Sequence, residues 1–144
     1  MDAANVTACR ITVEQLLLDA RSGLRRRTPQ QALAEQADGL RLVDIRSDAQ
    51  RAEDGVIPGA VHVPRNVLEW RLDPACPYRD PDLGRRESRI ALICNEGYQS
   101  SLAAATVRRF GLREVTDVVG GFHAWRAAGL PVDRSRTGGT DAGI

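Results

Sequence analysis

The sequence predicts an α/β fold of three layers, a central and mostly parallel five-stranded sheet covered by helices on both faces. Two observations carry that expectation. Short apolar runs alternate with capped helical segments along the chain, the pattern that builds parallel sheets through helical crossovers. One run, Ile90-Ala91-Leu92-Ile93, is continuously apolar, as in a strand buried on both faces.

Each element has its own local reason. Val13, Leu16, Leu17 and Ala20 recur at helical spacing, with Thr12 as N-cap and Gln15 completing a capping box. Leu24-Arg25-Arg26-Arg27 reads as a solvated short strand or linker rather than a nucleic-acid contact. Thr28 followed by Pro29 starts a second helix, which runs through Ala37 and ends at Gly39. Leu40 to Ile45 is a buried strand, and Asp48 to Glu53 a weak short helix. The turn Ile57-Pro58-Gly59 leads into a strand over Ala60 to Val63. Asn66 is placed to cap a short helix ending at Trp70, and the Pro- and charge-rich stretch from Pro74 to Arg89 reads as loop. After Ile93 come a helix over Ser101 to Phe110, stopped by Gly111, a strand over Val115 to Val119 and a last helix over Phe122 to Ala128. The segments divide as an N-terminal extension with one helix over 1–27, a domain over 28–132 and a flexible tail over 133–144.

Composition narrows the function. The 144 residues suit one hydrophobic core, and 42% apolar content with a mean hydropathy of −0.31 is ordinary for a globular chain. Twenty basic against nineteen acidic residues give a net charge of +1, and aromatics make up 4%, which argues against nucleic acid as partner. No apolar run reaches the roughly 20 residues of a membrane helix, and Met1 to Thr12 lacks the pattern of a signal peptide, so the expectation is a cytoplasmic protein with no membrane partner. Cys9, Cys76 and Cys94 are three widely spaced thiols, so a complete intrachain disulfide framework is excluded and at least one thiol is expected to be free.

Cys94 is the thiol to examine. A buried strand delivers it to its C-terminal edge, where ligands of parallel sheets bind. Asn95, Glu96, Gly97, Tyr98 and Gln99 form a short loop before Ser100 and Ser101 open a helix. Gly97 can take the positive φ that curls the loop on itself, turning successive N–H groups inward around the sulfur. The helix N-terminus adds a positive dipole end of about 0.3–1 kcal/mol at an exposed site. An exposed, anionic and nucleophilic Cys94 is therefore expected.

Cys94-Asn95-Glu96-Gly97-Tyr98-Gln99-Ser100 resembles the active loop of the rhodanese family, Cys-x-x-Gly-x-Arg-Ser. Leu42-Val43-Asp44-Ile45-Arg46 resembles the family's strand-borne Asp-x-Arg motif. Asp54-Gly55-Val56-Ile57-Pro58-Gly59-Ala60 resembles its Gly-His-Ile-Pro-Gly-Ala turn, and Val119-Gly120-Gly121-Phe122-His123-Ala124-Trp125 its terminal Gly-Gly-x-x-x-Trp segment. The likeness spans roughly 28–132. It implies a rhodanese-like fold and a sulfurtransferase without cofactor, in which Cys94 takes sulfur from a small donor such as thiosulfate, holds it as a persulfide and yields it to cyanide, a thiol or a protein acceptor. Asn95, Glu96, Gly97, Tyr98, Gln99 and Ser100 would line the substrate site, with Asp44 and Arg46 beside them.

Two departures weaken binding of a dianion. Gln99 stands where the family has arginine, and Glu96 adds a negative charge. The alternatives are a protein sulfur carrier with little thiosulfate turnover or a non-enzymatic rhodanese-like binding module. A phosphatase of similar fold would need Cys-x5-Arg, and the sixth position after Cys94 is Ser100. Asp44 and Arg46 have two readings, an anion-steering pair or a structural ion pair. Arg65 is a weaker anion-binding candidate. Trp70 and Trp125 read as packing residues. Neither His62 nor His123 has metal-ligand spacing, so no metal is expected.

Overall fold

The computed structural model describes residues 10–134. Cys9 and the positions after Arg134 lie outside the described residues. The chain runs α1 (Val13–Ser22), α2 (Pro29–Gln36), β1 (Arg41–Asp44), α3 (Asp48–Asp54), β2 (Val61–His62), a 3-10 turn (Arg65–Val67), α4 (Leu68–Leu72), β3 (Ile90–Ile93), α5 (Gln99–Arg108), β4 (Val115–Asp117) and α6 (Gly121–Ala127). All strand pairs are parallel, in the order β2-β1-β3-β4.

The sheet has four strands rather than the five expected. The segment before Thr28 contributes a single parallel bridge, Arg27 to Val118, made by Arg27 N–H to Asp117 O at 3.0 Å and Val119 N–H to Arg27 O at 2.8 Å. Pairing stops there because Thr28 already caps α2 and Pro29 has no N–H to offer a ladder.

Capping sets the helix starts. Thr12 with Gln15, Thr28 with Gln31 and Ser47 with Gln50 each form a reciprocal capping box. The third box explains how the weakly patterned segment after Ser47 forms helix at all. Asn66 caps nothing: it lies inside the 3-10 turn, and α4 begins after Val67 without a side-chain cap.

Strand alternation divides the core into two layers. Val43, Ile90, Leu92 and Val115 face α4 and α5, where Leu68, Leu72, Ala103, Ala104 and Val107 are buried. Leu42, Ala91, Ile93 and Val118 face Ala32 of α2 and Phe122 and Trp125 of α6. Trp125 is fully buried and donates its indole N–H to Pro131 O at 2.9 Å. Trp70 is not a packing residue, being 57% exposed on α4. Leu83, inside the stretch read as loop, is fully buried against the α4–α5 layer. Asp133 pairs with Val56 in an antiparallel bridge, which ties the chain after α6 to the turn before β2. No helix among the described residues is long and apolar enough to cross a membrane.

α1 lies along the outer side of α5 and buries none of its residues completely.

Candidate active site

β3 carries Cys94 to the carboxyl edge of the sheet, between β1 and β4. Gly97 follows at φ +85, the left-handed region expected of it. Two backbone amides converge on the sulfur: Gly97 N–H at 3.1 Å and Ser100 N–H at 3.3 Å from Sγ. Ser100 is the second residue of α5, whose N-cap position, Tyr98, supplies no side-chain acceptor. Cys94 Sγ therefore occupies the place a capping oxygen would take, and receives a helix N-terminal amide otherwise without a partner.

The thiol is less open than expected. Cys94 is 5% exposed and joins the α4–α5 core layer, so the sulfur sits at the floor of the loop. The loop's outer residues, Glu96, Tyr98 and Gln99, are exposed. Their three backbone N–H groups make no hydrogen bond among the described residues.

Below the loop lies a cluster that the sequence pattern did not reveal. Asp117, at the end of β4, is fully buried and accepts the hydroxyls of Ser100 and Ser101 on Oδ2, each at 2.7 Å. Arg26 closes on the same carboxylate with Nε at 2.8 Å and Nη2 at 3.1 Å. The basic run is therefore not wholly solvated. In an extended segment side chains alternate, so Arg26 turns inward between Arg25 and Arg27. An acid in a buried strand, Val115-Thr116-Asp117, was the one sequence signal that a cation had to arrive from elsewhere.

The Gly120-Gly121 turn covers the loop from the other side. Phe122 N–H donates to Cys94 O at 2.8 Å and His123 N–H to Asn95 O at 3.0 Å. Asn95 Nδ2 and His123 Nε2 stand 3.1 Å apart, which brings an exposed imidazole to the rim. From the sequence, His123 carried no role beyond its lack of metal-ligand spacing.

Asp44 and Arg46, at the carboxyl end of β1, are both buried. Arg46 is 2% exposed, forks onto Asp44 at 2.8–3.2 Å, donates to Gly55 O at 2.8 Å and stacks 3.9 Å from the Phe122 ring centre. That arrangement is the structural ion pair of the two readings, bracing β1 against α6, whose Phe122 amide holds the Cys94 carbonyl. Arg65 is neutralised by Glu69 at 2.8 Å, one helical turn on.

Fold and site together define an α/β protein with a cysteine loop closed by backbone amides at a strand end. The chain belongs to the rhodanese-like domain family, whose model matches residues 28–128. It is 35% identical over 106 residues to the thiosulfate sulfurtransferase GlpE of Pseudomonas entomophila, covering 74% of this chain and 88% of that one. A sulfurtransferase of Allochromatium vinosum is 33% identical over 102 residues, covering 71% and 85%. Among solved structures, a Rhodopseudomonas palustris protein of unknown function, described as a possible tyrosine phosphatase, superposes with a TM-score of 0.79 at 34% identity, covering 85% of this chain and 95% of that one. Relatives named as sulfurtransferases support sulfurtransferase activity for this chain.

Proposed function

We propose that Cys94 accepts a sulfane sulfur, holds it as a persulfide and passes it to a thiophilic acceptor. The Cys94 thiolate attacks the outer sulfur of a donor such as thiosulfate. The new S–S bond forms as the donor's S–S bond breaks, and sulfite leaves with the electron pair. Cyanide or a thiolate then attacks the terminal sulfur and returns the Cys94 thiolate, so the cycle needs no oxidant or cofactor.

The observation that carries this reading is the pair of amides at 3.1 and 3.3 Å from Sγ. Amides stabilise an anion without offering an acidic proton, which suits a thiolate and then the terminal sulfur of a persulfide. The unused N–H groups of Glu96, Tyr98 and Gln99 supply donors for that second sulfur. A phosphatase reading lacks its clamp, because Ser100 and not arginine occupies the sixth position after Cys94.

Glu96 and Gln99 at the rim favour a donor or acceptor of lower negative charge than thiosulfate, a protein or low-molecular-weight persulfide. The experiment is intact-mass measurement after treatment with thiosulfate or with a small-molecule persulfide. A gain of about 32 Da, one sulfur atom, on the wild type and none on Cys94→Ser supports the reading. Loading that survives Cys94→Ser removes it. Loading by the persulfide alone identifies a sulfur carrier rather than a thiosulfate enzyme.

A further inference from the structure

The N-terminal extension lies outside the 28–128 span that matches the family, yet two of its side chains end on the cysteine loop. Arg21, in the last turn of α1, donates through Nη2 to Gly97 O at 2.8 Å and through Nε to Ser101 Oγ at 3.0 Å. Its guanidinium also stands 5.7 Å from the Tyr98 ring centre. Arg26 donates to the same Gly97 carbonyl at 3.0 Å while it grips Asp117.

These contacts reach both residues whose amides hold the sulfur. Ser100 is held through its hydroxyl on Asp117, and Gly97 through its carbonyl. The second hold is needed on physical grounds. Position 97 must be glycine, because a Cβ there would stand 2.6 Å from Gly120 N, and glycine is the loop residue with the most backbone freedom to lose. Two charged donors on its carbonyl fix the Gly97–Tyr98 peptide plane, and so narrow the φ and ψ of Gly97 that decide where the N–H of the preceding peptide points.

Charge points the same way. A buried Asp117 carboxylate with only hydroxyl donors would oppose an anionic sulfur above it. Arg26 cancels that charge, and Arg21 leaves the cluster one unit positive. The loop itself contributes only the negative charge of Glu96.

We propose that Arg21, supported by Arg26, is a positioning residue: the N-terminal extension supplies the cation that restrains the Gly97 backbone, whose N–H lies on Sγ, and stabilises the sulfur anion. This deepens the reading of Cys94 as the sulfur carrier and rests on it for its biological meaning, though its test does not.

The test uses the full chain with Cys9 and Cys76 replaced by serine, so that Cys94 is the one thiol. Alkylation by iodoacetamide, a neutral reagent, is timed for the parent, Arg21→Gln, Arg21→Lys and the control Arg25→Gln, which removes the same charge from an exposed neighbour. The expected result is a rate about tenfold lower for Arg21→Gln near pH 7, shrinking to less than about twofold near pH 10. Arg21→Lys should fall between, and Arg25→Gln should match the parent. Equal rates for Arg21→Gln and the parent near pH 7 would overturn the proposal. So would a deficit that persists undiminished near pH 10, since that marks altered access instead of a destabilised anion. Absence of the mass gain in the wild-type protein would sink the sulfur-carrier reading alone and leave this comparison standing.

Discussion

Gly121 approaches Gly97 so closely that a Cβ built on Gly121 would stand 2.7 Å from the Gly97 nitrogen, and 2.4 Å from Cys94 O. Gly121 also has φ +62, so a side chain there meets backbone strain as well as collision. The Gly-Gly turn is thus the outer wall of the cysteine loop. Gly121→Ala should destabilise the protein by about 2–4 kcal/mol, combining backbone strain with overpacking against main chain that cannot yield. Urea denaturation reads the stability, and intact mass after donor treatment should show sulfur loading lost where the fold survives.

Arg26 and Asp117 form a pair whose carboxylate is fully buried and whose guanidinium is 17% exposed. Removing only the cation leaves a buried charge with two hydroxyl donors, at a cost of about 3–5 kcal/mol. Arg26→Gln should therefore be strongly destabilising, and Arg26→Gln with Asp117→Asn should recover much of the loss. A double-mutant cycle in urea measures the coupling, and strict additivity would contradict the pairing.

Ser100 offers its hydroxyl to Asp117 and its amide to Cys94 Sγ. Ser100→Ala removes a hydrogen bond to a charged acceptor, worth about 1.5–3 kcal/mol, while the backbone N–H remains. Thermal stability should drop by that amount, yet Cys94 should still load sulfur, as read by intact mass.

Thiol access follows from the 5% exposure of Cys94 at the floor of its loop. A one-carbon thiosulfonate should label Cys94 quickly, whereas an aromatic disulfide of the nitrobenzoate type should be at least about tenfold slower than on a free thiol of similar acidity. Stopped-flow labelling of the protein lacking Cys9 and Cys76 measures both.

Gln99 is exposed at the rim, beside Glu96, and neither assists a dianion. Gln99→Arg adds an exposed cation, worth about 1 kcal/mol toward thiosulfate. The KM for thiosulfate should fall roughly threefold to tenfold at low ionic strength, and the gain should fade with added salt. Steady-state thiocyanate formation, followed against salt, checks it.

Much of the site was legible in the chain because its signals are local. Strand, cysteine, glycine and helix follow one another within a dozen residues, and capping boxes act across three. Such patterns constrain φ and ψ directly, so Cys94, Gly97 and the start of α5 could be located before any packing was known. The Asp44–Arg46 pair was legible as a pair for the same reason, but its position was not. Whether a guanidinium faces a ligand or a phenyl ring depends on where α6 comes to rest.

The amino-acid order by itself determined the parallel α/β class, the thiol at the strand edge and the curl of its loop, because steric limits and neighbouring hydrogen bonds set those features. Only the tertiary structure decided that the sulfur is recessed, that the sheet stops at four strands, and that Arg21 and Arg26 reach Gly97 across 76 and 71 positions of chain. An arginine's partner is chosen by which buried carboxylate or carbonyl the completed fold places within reach. Nothing in the spacing of Leu24-Arg25-Arg26-Arg27 states that choice.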